Sequence, residues 1–257
     1  MEIVNFIHPD AKLSKGVEVG HFSVIEDDVE IGEGTIVGHN VTILSGARIG
    51  KNCKVFPGAV IAAIPQDLKF KGEYSLVEVG DNTTIRECVT LNRGTADRHK
   101  TTIGKNCLLM AYVHIAHDVI VGDNCIIANS ASIAGHVIIG DHVVIEGIVG
   151  IQQFVKVGRH AFISGGSKVR KNIPPYVKAA RDPLVFAGVN SIGLSRNGYD
   201  RETIKTIEDI YRLIYVRNTT ISKGVNEVKS KLAHNSISDE ILEFIGTSEN
   251  GVIKGMV

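Results

Sequence analysis

The sequence predicts a mainly β protein, in which a parallel β-helix of hexapeptide repeats is followed by a smaller α-helical domain. Between residues 7 and 169, 25 of the 28 positions spaced six residues apart are Ile, Leu or Val. An α-helix repeats every 3.6 residues and a strand every two, so neither explains this spacing, whereas stacked hexapeptide coils do. Beyond residue 172 the six-residue spacing ends, and the apolar residues take a helical spacing. The exceptions to the repeat are Asp67, Glu73 and Asp97.

Residues 1–61 are predicted to form the first three coils, each with three short strands around an aliphatic interior. The residue directly after the repeat position is often Gly, which suggests a turn with positive φ. The residue four places after the repeat position is usually small or aliphatic and is expected to fill the corners of the prism. These predicted corner residues include Ser23, Val29, Thr35, Val41, Ala47, Cys53, Ala59, Val137, Val143, Ala161 and Ser167.

Two segments interrupt the repeat without shifting its phase. Residues 62–78 are predicted to form a loop insertion, because neighbouring coils can stack while such a segment leaves a corner. Loops often carry binding groups, and this one places Gln66, Asp67 and Lys69 close together. The second interruption, residues 93–100, is polar and is interpreted as a solvated turn.

The coils after residue 101 contain a candidate acid–base group. His114 and His117 flank an inward-facing isoleucine, so both can reach the surface of the prism. His136 follows His117 by 19 residues, one coil and one residue, which predicts a separation of roughly 5–10 Å. Asp118 can hold one tautomer of the His117 imidazole and stabilise its protonated form. The pattern therefore favours proton transfer at His117.

A zinc site is the competing chemical interpretation of these histidines. A catalytic zinc ion on a β-helix would need three converging protein ligands and an open fourth position. The candidates are His114, His117, His136 and His142. The first two would diverge along a strand, which disfavours this interpretation.

The β-helix is predicted to end near residue 172, where Pro174 and Pro175 cannot continue a sheet ladder. Residues 177–198 are interpreted as a connector. Ser238 is a plausible N-cap of the last helix. The helices are predicted at 201–217, 222–233 and 238–246, which gives a β-helix domain at 1–190 and a helical domain at 191–257 that caps the prism.

Composition limits the possible partners. The 28 basic residues balance the 28 acidic ones, which gives no overall signal for nucleic acid or an anionic surface. Without a run of about 20 apolar residues or an export signal, we expect a soluble cytoplasmic protein with no stable membrane insertion. The four cysteines form no CxxC pair and are expected to be buried free thiols: Cys53, Cys88, Cys107 and Cys125.

Several motifs occur together in one known family. They are Gln66–Lys69, Ile85–Glu87, Arg93–Thr95, Leu109–Met110, His114–Asp118, Ala134–Val137, Pro174–Val177 and Gly188–Asn190. With the hexapeptide repeats and the helical tail, the chain closely resembles the acyl-[acyl-carrier-protein]–UDP-N-acetylglucosamine O-acyltransferases of the LpxA type, in the hexapeptide-repeat acyltransferase superfamily. The resemblance implies a left-handed β-helix and a homotrimer with active sites between neighbouring prisms.

The resemblance also implies a reaction, the first step of lipid A biosynthesis. An (R)-3-hydroxyacyl chain passes from acyl carrier protein to the glucosamine 3-hydroxyl of UDP-N-acetylglucosamine, and no cofactor is needed. His117 would be the general base, Asp118 would orient it, and the Gly135 N–H would stabilise the oxyanion. An acidic carrier protein would dock on a basic patch, for which Lys168, Arg170 and Lys171 are candidates.

Ten further positions are implied to bind substrate. They are Gln66, Asp67, Lys69, His114, His136, Gln152, Gln153, Gly165, Asn190 and Arg196. Gln152 stands where many members have His, Ile192 replaces an acidic residue, and Asn197 replaces a second Arg. Gly165 lies at the family's acyl-chain ruler and permits a medium or long chain, with Phe162 able to shift that limit.

Other activities are compatible with parts of the pattern. They are a related N-acyltransferase of the same pathway, an acetyl-CoA-dependent sugar acetyltransferase, a zinc hydratase on the same scaffold, and a non-catalytic binding solenoid. The acyl chain length and the use of a 3-amino sugar nucleotide are left open.

Overall fold

The computed structural model describes residues 4–232 and 235–255, and within them the predicted prism is present. Its 27 short strands form three sheets, one for each side. Through residue 169, successive strands of the chain lie in successive sheets, so sheet neighbours are one coil apart and parallel, as in the pairing of Ile7 with Ile25. The predicted fold, a left-handed parallel β-helix of hexapeptide repeats with a C-terminal α-helical domain, is confirmed.

The strands are short, and most contain two residues. The first sheet contains β1 (Phe6–Ile7), β4 (Val24–Ile25), β7 (Thr42–Ile43), β10 (Val60–Ala63), β13 (Thr90–Asn92), β16 (His114–Ile115), β19 (Ser132–Ile133), β22 (Gly150–Ile151) and β25 (Lys168–Val169). The second contains β2 (Lys12–Leu13), β5 (Glu30–Ile31), β8 (Ala47–Ile49), β11 (Leu76–Val79), β14 (Lys100–Ile103), β17 (Ile120–Val121), β20 (Ile138–Ile139) and β23 (Lys156–Val157). The third contains β3 (Glu18–Val19), β6 (Ile36–Val37), β9 (Lys54–Val55), β12 (Thr84–Ile85), β15 (Leu108–Leu109), β18 (Ile126–Ile127), β21 (Val144–Ile145), β24 (Phe162–Ile163), β26 (Val177–Ala180) and β27 (Val185–Val189).

The aliphatic repeat residues form the interior of the prism, as predicted. From Ile25 to Val169 every one of them is buried, and so are the predicted corner residues. Each stacks on its equivalents one coil away, as Ile115 does between Leu91 and Ile133. The first coil differs, because β1, β2 and β3 are edge strands, and Ile7 is 41% exposed.

The predicted role of the glycines after the repeat positions is wrong. Gly20 and Gly80 do not have positive φ; a Cβ on either would lie 2.5–2.7 Å from backbone atoms of the next coil. Close stacking therefore requires these glycines. Positive φ occurs instead three residues after the repeat position, for example at Asn40 (53°), Asp118 (59°) and His136 (62°). Asn, Asp and His are among the non-glycine residues that most readily adopt this conformation.

Both interruptions are loops with contacts to the rest of the protein. The first, called the insertion loop, spans residues 64–75 and is somewhat shorter than predicted. The second, called the short loop, spans residues 93–99. The interpretation of the second segment as a solvated turn is wrong, because Thr95 is buried and the loop makes hydrogen bonds to Asp118.

The interpretation of residues 177–198 as a connector is also wrong in part. β26 and the antiparallel β27 extend the third sheet, and α1 spans Ser191–Arg196. The three predicted helices follow as α2 (Arg201–Tyr211), continued by a π-helical segment (Arg212–Arg217), α3 (Ile221–Lys231) and α4 (Ser236–Gly246). The predicted end of the second helix at residue 233 lies outside the described residues.

The last helix begins earlier than predicted. Its N-cap is Asn235, whose side chain accepts hydrogen bonds from the Ile237 and Ser238 N–H groups. Ser238 is the fourth residue of the capping box, and its hydroxyl completes the reciprocal pair. The predicted N-cap role of Ser238 is therefore wrong, because Asn235 already caps the helix.

The helical domain is fixed to the last coils by polar contacts. Glu240 of α4 accepts hydrogen bonds from the Arg159 Nε and Nη2 atoms at 2.7 and 2.8 Å and from the Tyr176 hydroxyl at 2.5 Å. The buried Tyr211 hydroxyl donates to the Pro175 carbonyl at 2.6 Å. These contacts join α2 and α4 to the end of the prism.

The cysteines are free, as predicted, and all but Cys88 are buried. Cys88 is exposed because it occupies a positive-φ position rather than a corner of the prism. Within residues 4–232 and 235–255, none of the helices combines the length and apolar character needed to traverse a bilayer.

Candidate active site

A cavity of about 440 Å³ opens on the outer face of the first sheet. β16, β19 and β22 form its floor, and the insertion loop forms one side. Six residues that the sequence predicted as site residues line it: Gln66, His114, His117, Gly135, Gln152 and Gln153. The structure thus brings together residues from three coils and a loop.

His117 is held on one side and open to the cavity on the other. It lies two residues after the inward Ile115 and is only 5% exposed. Its Nδ1 atom is 2.8 Å from Asp118 Oδ2, and since a carboxylate only accepts, Nδ1–H is the donor. The Nε2 atom lies 3.9 Å from Asp67 Oδ2. With the Nδ1–H directed at Asp118, the lone pair of a neutral ring is on Nε2, beside the cavity.

Asp118 is fully buried and surrounded by donors. Besides His117, its carboxylate accepts from the Thr95 hydroxyl at 2.6 Å, the Thr95 N–H at 3.0 Å and the Arg98 N–H at 3.2 Å. Burial acts to raise the pKa of Asp118, but the hydrogen bonds from Thr95, His117 and Arg98 outweigh it and hold the pKa below its ordinary value. The group is therefore a carboxylate at neutral pH.

Gly135 lies directly against the His117 ring. A Cβ atom on Gly135 would be 2.6 Å from His117 Cε1 and 2.7 Å from Nε2, so a side chain would displace the ring. Among the described residues, none accepts a hydrogen bond from the Gly135 N–H. A free N–H beside an imidazole is suited to an oxyanion.

His136 lies next to His117, as the coil repeat predicted. The ring centroids are 5.0 Å apart and nearly perpendicular. Its Nδ1 atom is 3.1 Å from Asp97 Oδ2, and its ring stacks on Phe154 at 4.6 Å. His136 Nε2 is 4.0 Å from Asp118 Oδ2. The Thr95 hydroxyl, His117 Nδ1 and His136 Nε2 therefore all face this one carboxylate oxygen.

His114 lines the cavity and lies three residues before His117 in the chain. Its Nδ1 atom is 2.7 Å from the Thr90 hydroxyl. Burial lowers the pKa of His114, which favours the neutral ring. Outward residues of the first sheet continue this row through Ser132 and Gly150 to Lys168.

The insertion loop contributes its three predicted residues unequally. Gln66 is exposed and lines the cavity, and Asp67 is half-buried beside His117. The Asp67 carboxylate accepts the Lys69 N–H at 3.0 Å, which shapes the turn. The Lys69 side chain is exposed and lies outside the cavity lining.

Asn190 and Arg196 do not meet His117 within one chain. They line a second groove of about 550 Å³ on the third sheet, together with Phe162, Ile192 and Asn197. The Asn190 side chain also caps α1 and donates to the His160 carbonyl at 3.0 Å.

Gly165 lines neither of these two grooves. Its N–H donates to the Glu146 carboxylate at 2.8 Å, and a Cβ on it would lie 3.3 Å from the Gly147 carbonyl oxygen. The three predicted docking residues, Lys168, Arg170 and Lys171, are exposed. Lys168 continues the His114 row, whereas Lys171 donates to the Asn250 carbonyl at 2.7 Å.

Sequence reasoning missed Thr95, Asp97 and Arg98. All three lie on the short loop, and they bind Asp118 or His136. One signal was present, because Asp97 is an exception to the aliphatic repeat.

Part of this group has the spacing of a metal site. One ligand atom each of His117, Asp118 and His136 lies within 4.8 Å of the others. Of the four histidines in the zinc interpretation, His114 and His142 lie outside this group. The His117 Nδ1 atom is already engaged by Asp118, which leaves Nε2 as its free ligand atom.

Family models match both parts of the chain. A model described as Udp N-acetylglucosamine O-acyltransferase, domain 2, matches residues 172–253. A model described as bacterial transferase hexapeptide (six repeats) matches residues 10–45, 28–63 and 100–135.

Curated proteins and a solved structure match nearly the whole chain. The acyl-[acyl-carrier-protein]–UDP-N-acetylglucosamine O-acyltransferase of Sulfurihydrogenibium sp. is 58% identical over 253 residues, 96% of this chain and 93% of that protein. The protein of the same name from Trichlorobacter lovleyi is 49% identical over 253 residues, 97% of each. The crystal structure of LpxA, a UDP-N-acetylglucosamine acyltransferase from Bacteroides fragilis, superposes with a TM-score of 0.96 at 44% identity, covering 99% of this chain and 100% of that one.

Proposed function

Because the chain belongs to the family of acyl-[acyl-carrier-protein]–UDP-N-acetylglucosamine O-acyltransferases, we propose that it catalyses their acyl transfer with His117 as general base. The acyl donor is an (R)-3-hydroxyacyl chain on acyl carrier protein. The acceptor is the glucosamine 3-hydroxyl of UDP-N-acetylglucosamine, and the reaction is the first step of lipid A biosynthesis. No cofactor takes part in this proposal.

One observation carries the proposal: a buried, ionised Asp118 orients a histidine whose Nε2 faces an open cavity. The contact at 2.8 Å fixes the tautomer that leaves a lone pair on Nε2. A proton acceptor beside a cavity lined by polar side chains suits a sugar hydroxyl. The arrangement follows the logic of a nucleophile, a base and an orienting carboxylate.

The chemical steps follow from this geometry. His117 Nε2 takes the proton of the 3-hydroxyl as its oxygen attacks the thioester carbonyl carbon, forming the new C–O bond. The tetrahedral intermediate then collapses, the C–S bond breaks, and the imidazolium returns the proton to the departing sulfur. Asp118 stabilises the imidazolium between these two steps.

Gly135 supports the intermediate through its N–H group. That N–H has no acceptor among the described residues and lies beside the His117 ring, where the carbonyl carbon must approach. A preorganised donor at an oxyanion contributes a factor of about 10²–10³ in kcat. Gln66, Asp67, His114, Gln152 and Gln153 line or border the cavity and are assigned to substrate binding.

The proposal includes a homotrimer in which the cavity on the first sheet of one chain faces the groove on the third sheet of its neighbour. Asn190 and Arg196 lie on the third sheet and His117 on the first, so one chain alone does not complete the predicted site. The exposed aliphatic side chain of Ile126 lines the second groove, which supports contact of this groove with another chain. Such a cleft would place the nucleotide between two subunits.

Two further assignments belong to this proposal. Three exposed basic residues lie at or near the end of the row of outward residues that begins at His114, and they suit an acidic carrier protein: Lys168, Arg170 and Lys171. A cytoplasmic location agrees with four free cysteines, since cytosolic thiols stay reduced.

Incubation of the purified protein with UDP-N-acetylglucosamine and a panel of hydroxyacyl carrier proteins tests the function. Mass spectrometry reports the product, the acylated atom and the preferred chain length. A 3-amino sugar nucleotide in parallel reports whether nitrogen also accepts the chain. Absence of any acylated sugar nucleotide across the panel would refute the proposal.

His117→Ala tests the assigned base. We expect kcat to fall by roughly 10²–10⁴-fold with the oligomeric state unchanged, because the proton acceptor is lost while the coil is retained. His39→Ala is the control, since His39 is exposed in a coil remote from the cavity. Steady-state kinetics and sedimentation measure both properties, and an active His117→Ala protein contradicts the assignment.

A further inference from the structure

The short loop is shaped to bring one residue against Asp118. Gly94 passes so close to the backbone of His99 and Lys100 that a Cβ atom on it would overlap the Lys100 N–H. This crossing turns the loop inward, which leaves only 9% of the Thr95 surface exposed. Gly94 is therefore required for the position of Thr95.

Thr95 binds the same carboxylate oxygen as the base. Its hydroxyl donates to Asp118 Oδ2 at 2.6 Å, and the His117 Nδ1–H donates to that oxygen at 2.8 Å. The Thr95 N–H spans both carboxylate oxygens, at 3.0 Å from Oδ1 and 3.2 Å from Oδ2. The Thr95 hydroxyl itself accepts the Asp97 N–H at 3.4 Å, which orients its proton toward Asp118.

These hydrogen bonds fix the orientation of the Asp118 carboxylate. The terminal torsion of an aspartate is broad, so the carboxylate plane needs external fixation. Among the described residues, every donor to this carboxylate side chain other than His117 comes from the short loop. Among the described residues, no Lys or Arg side chain pairs with this buried charge, so the neutral donors of the loop help to keep it ionised and in one orientation.

We propose that Thr95 is a positioning residue for the acyl transfer: its hydroxyl fixes the plane of the Asp118 carboxylate and thereby the direction of His117 Nε2. This inference rests on the proposed function, since it assigns a role within that reaction. Thr95 touches neither the sugar nor the thioester in this role and acts through Asp118.

A comparison within the chain separates this role from ordinary packing. Thr83 is fully buried, and its hydroxyl donates to the Gly104 carbonyl at 2.8 Å and accepts the Cys107 N–H at 3.1 Å. Both partners are backbone groups of the next coil. Thr83 therefore offers a matched threonine whose hydroxyl serves only the fold.

Three variants test the proposal: Thr95→Val, which removes the hydroxyl at similar shape, Thr95→Ser, which keeps it, and Thr83→Val as control. Loss of a hydrogen bond to a charged group predicts a fall in kcat of roughly 10- to 100-fold for Thr95→Val. We expect KM for UDP-N-acetylglucosamine to change less than about twofold, because binding groups are untouched. Thr95→Ser and Thr83→Val should keep kcat within about threefold.

A second readout does not depend on turnover. In protein labelled with ¹⁵N-histidine, Thr95→Val should shift the Nδ1–H resonance of His117, while Thr83→Val should leave it unchanged. If Thr95→Val does not fold, Thr95→Ala replaces it with the same expectations.

Three results would overturn the proposal: full kcat in the valine variant, equal losses in the serine and valine variants, or an unmoved His117 resonance. A wild-type protein without acyl transfer would instead refute the proposed function, and the resonance would still report on Thr95. The two failures are therefore distinguishable.

Discussion

Asp118 and His136 occupy the same place in their hexads, three residues after the inward aliphatic residue. At this place φ is positive, 59° and 62° respectively, and several other hexads have Asn there. Asp, Asn and His tolerate the left-handed conformation better than most residues. Every coil of the scaffold has such turn positions, and the site uses one of them on each of two adjacent coils.

Gly135 offers a sharp test at this scale. Gly135→Ala keeps the N–H but adds a Cβ atom that overlaps the His117 ring, so the ring must move. We expect kcat to fall about 100-fold, because a displacement of about 1 Å at a reacting group has this effect. Steady-state kinetics measures it.

Gly246→Ala is the control for that variant, since no atom lies within 4 Å of its Cβ position. Equal and small effects of the two substitutions would mean that the ring of His117 can move without loss.

The pairing of His117 and Asp118 with His136 could be predicted from the sequence because an 18-residue coil fixes which residues stack, whereas Gly135 was implied by the resemblance to a known family. The contribution of Thr95 could not be predicted in this way. It comes from a loop whose path depends on the contact of Gly94 with the next segment, and no periodic pattern encodes that contact.

At the scale of elements, the two loops form one unit. The Glu73 carboxylate accepts the Ala96 N–H at 2.9 Å, and the Arg93 guanidinium lies 5.7 Å from the Phe70 ring centre. The insertion loop bears Gln66 and Asp67, and the short loop holds Asp118. The residues proposed to bind substrate and to orient His117 are thus connected through loop contacts.

Glu73→Ala tests this connection. Losing the contact with Ala96 loosens the insertion loop, so we expect KM for UDP-N-acetylglucosamine to rise by up to about 10-fold, the equivalent of one hydrogen bond. The unfolding temperature should hardly change, because the loop adds little to the core. Kinetics and thermal unfolding measure the two effects.

Glu78→Ala is the matched control, because Glu78 pairs with Lys100 on the second sheet, away from the cavity. A rise in KM for both variants alike would contradict a specific connection between the loops.

The three exceptions to the aliphatic repeat mark the positions of the loops, and all three residues also make contacts at the site or between the loops. Asp67 lies beside His117, Glu73 joins the loops, and Asp97 binds His136. The sequence showed that these positions left the interior, but the partners of Glu73 and Asp97 depend on loop folding. Sequence reasoning therefore located the loops and left their contacts undetermined.

At the scale of the whole molecule, a buried network joins the prism to the helical domain. His160 stacks between His142 and Tyr176, its Nε2 atom is 3.2 Å from the Tyr199 hydroxyl, and its Nδ1 atom is buried without a partner among the described residues. Burial, followed by the charges of His142 and Arg159, lowers the pKa of His160 to about 4.

This histidine predicts a loss of stability in acid. The unfolded chain binds the proton near pH 6.5 and the folded chain only near pH 4, so stability falls as pH drops between these values and levels off below them. The contribution is on the order of 3 kcal/mol. His160→Asn suits the positive φ of 57° and removes the titrating group.

Urea unfolding at pH 7 and pH 4.5, at one protomer concentration, measures the effect. The difference between the two pH values should be smaller in His160→Asn than in the wild type. An identical difference in the two proteins would mean that His160 does not control the acid sensitivity.

The exposed first coil has a consequence for how the length of the protein can vary. Removing one complete turn of the prism would leave Ile25, Ile31 and Val37 as the new outermost layer, equivalent in position to Ile7, Leu13 and Val19. Removing a fraction of a turn would instead leave one wall shorter than the others. The prism is thus modular at the end away from the helices, and shortened or extended versions should tolerate whole-turn steps while the catalytic centre, several layers away, is undisturbed.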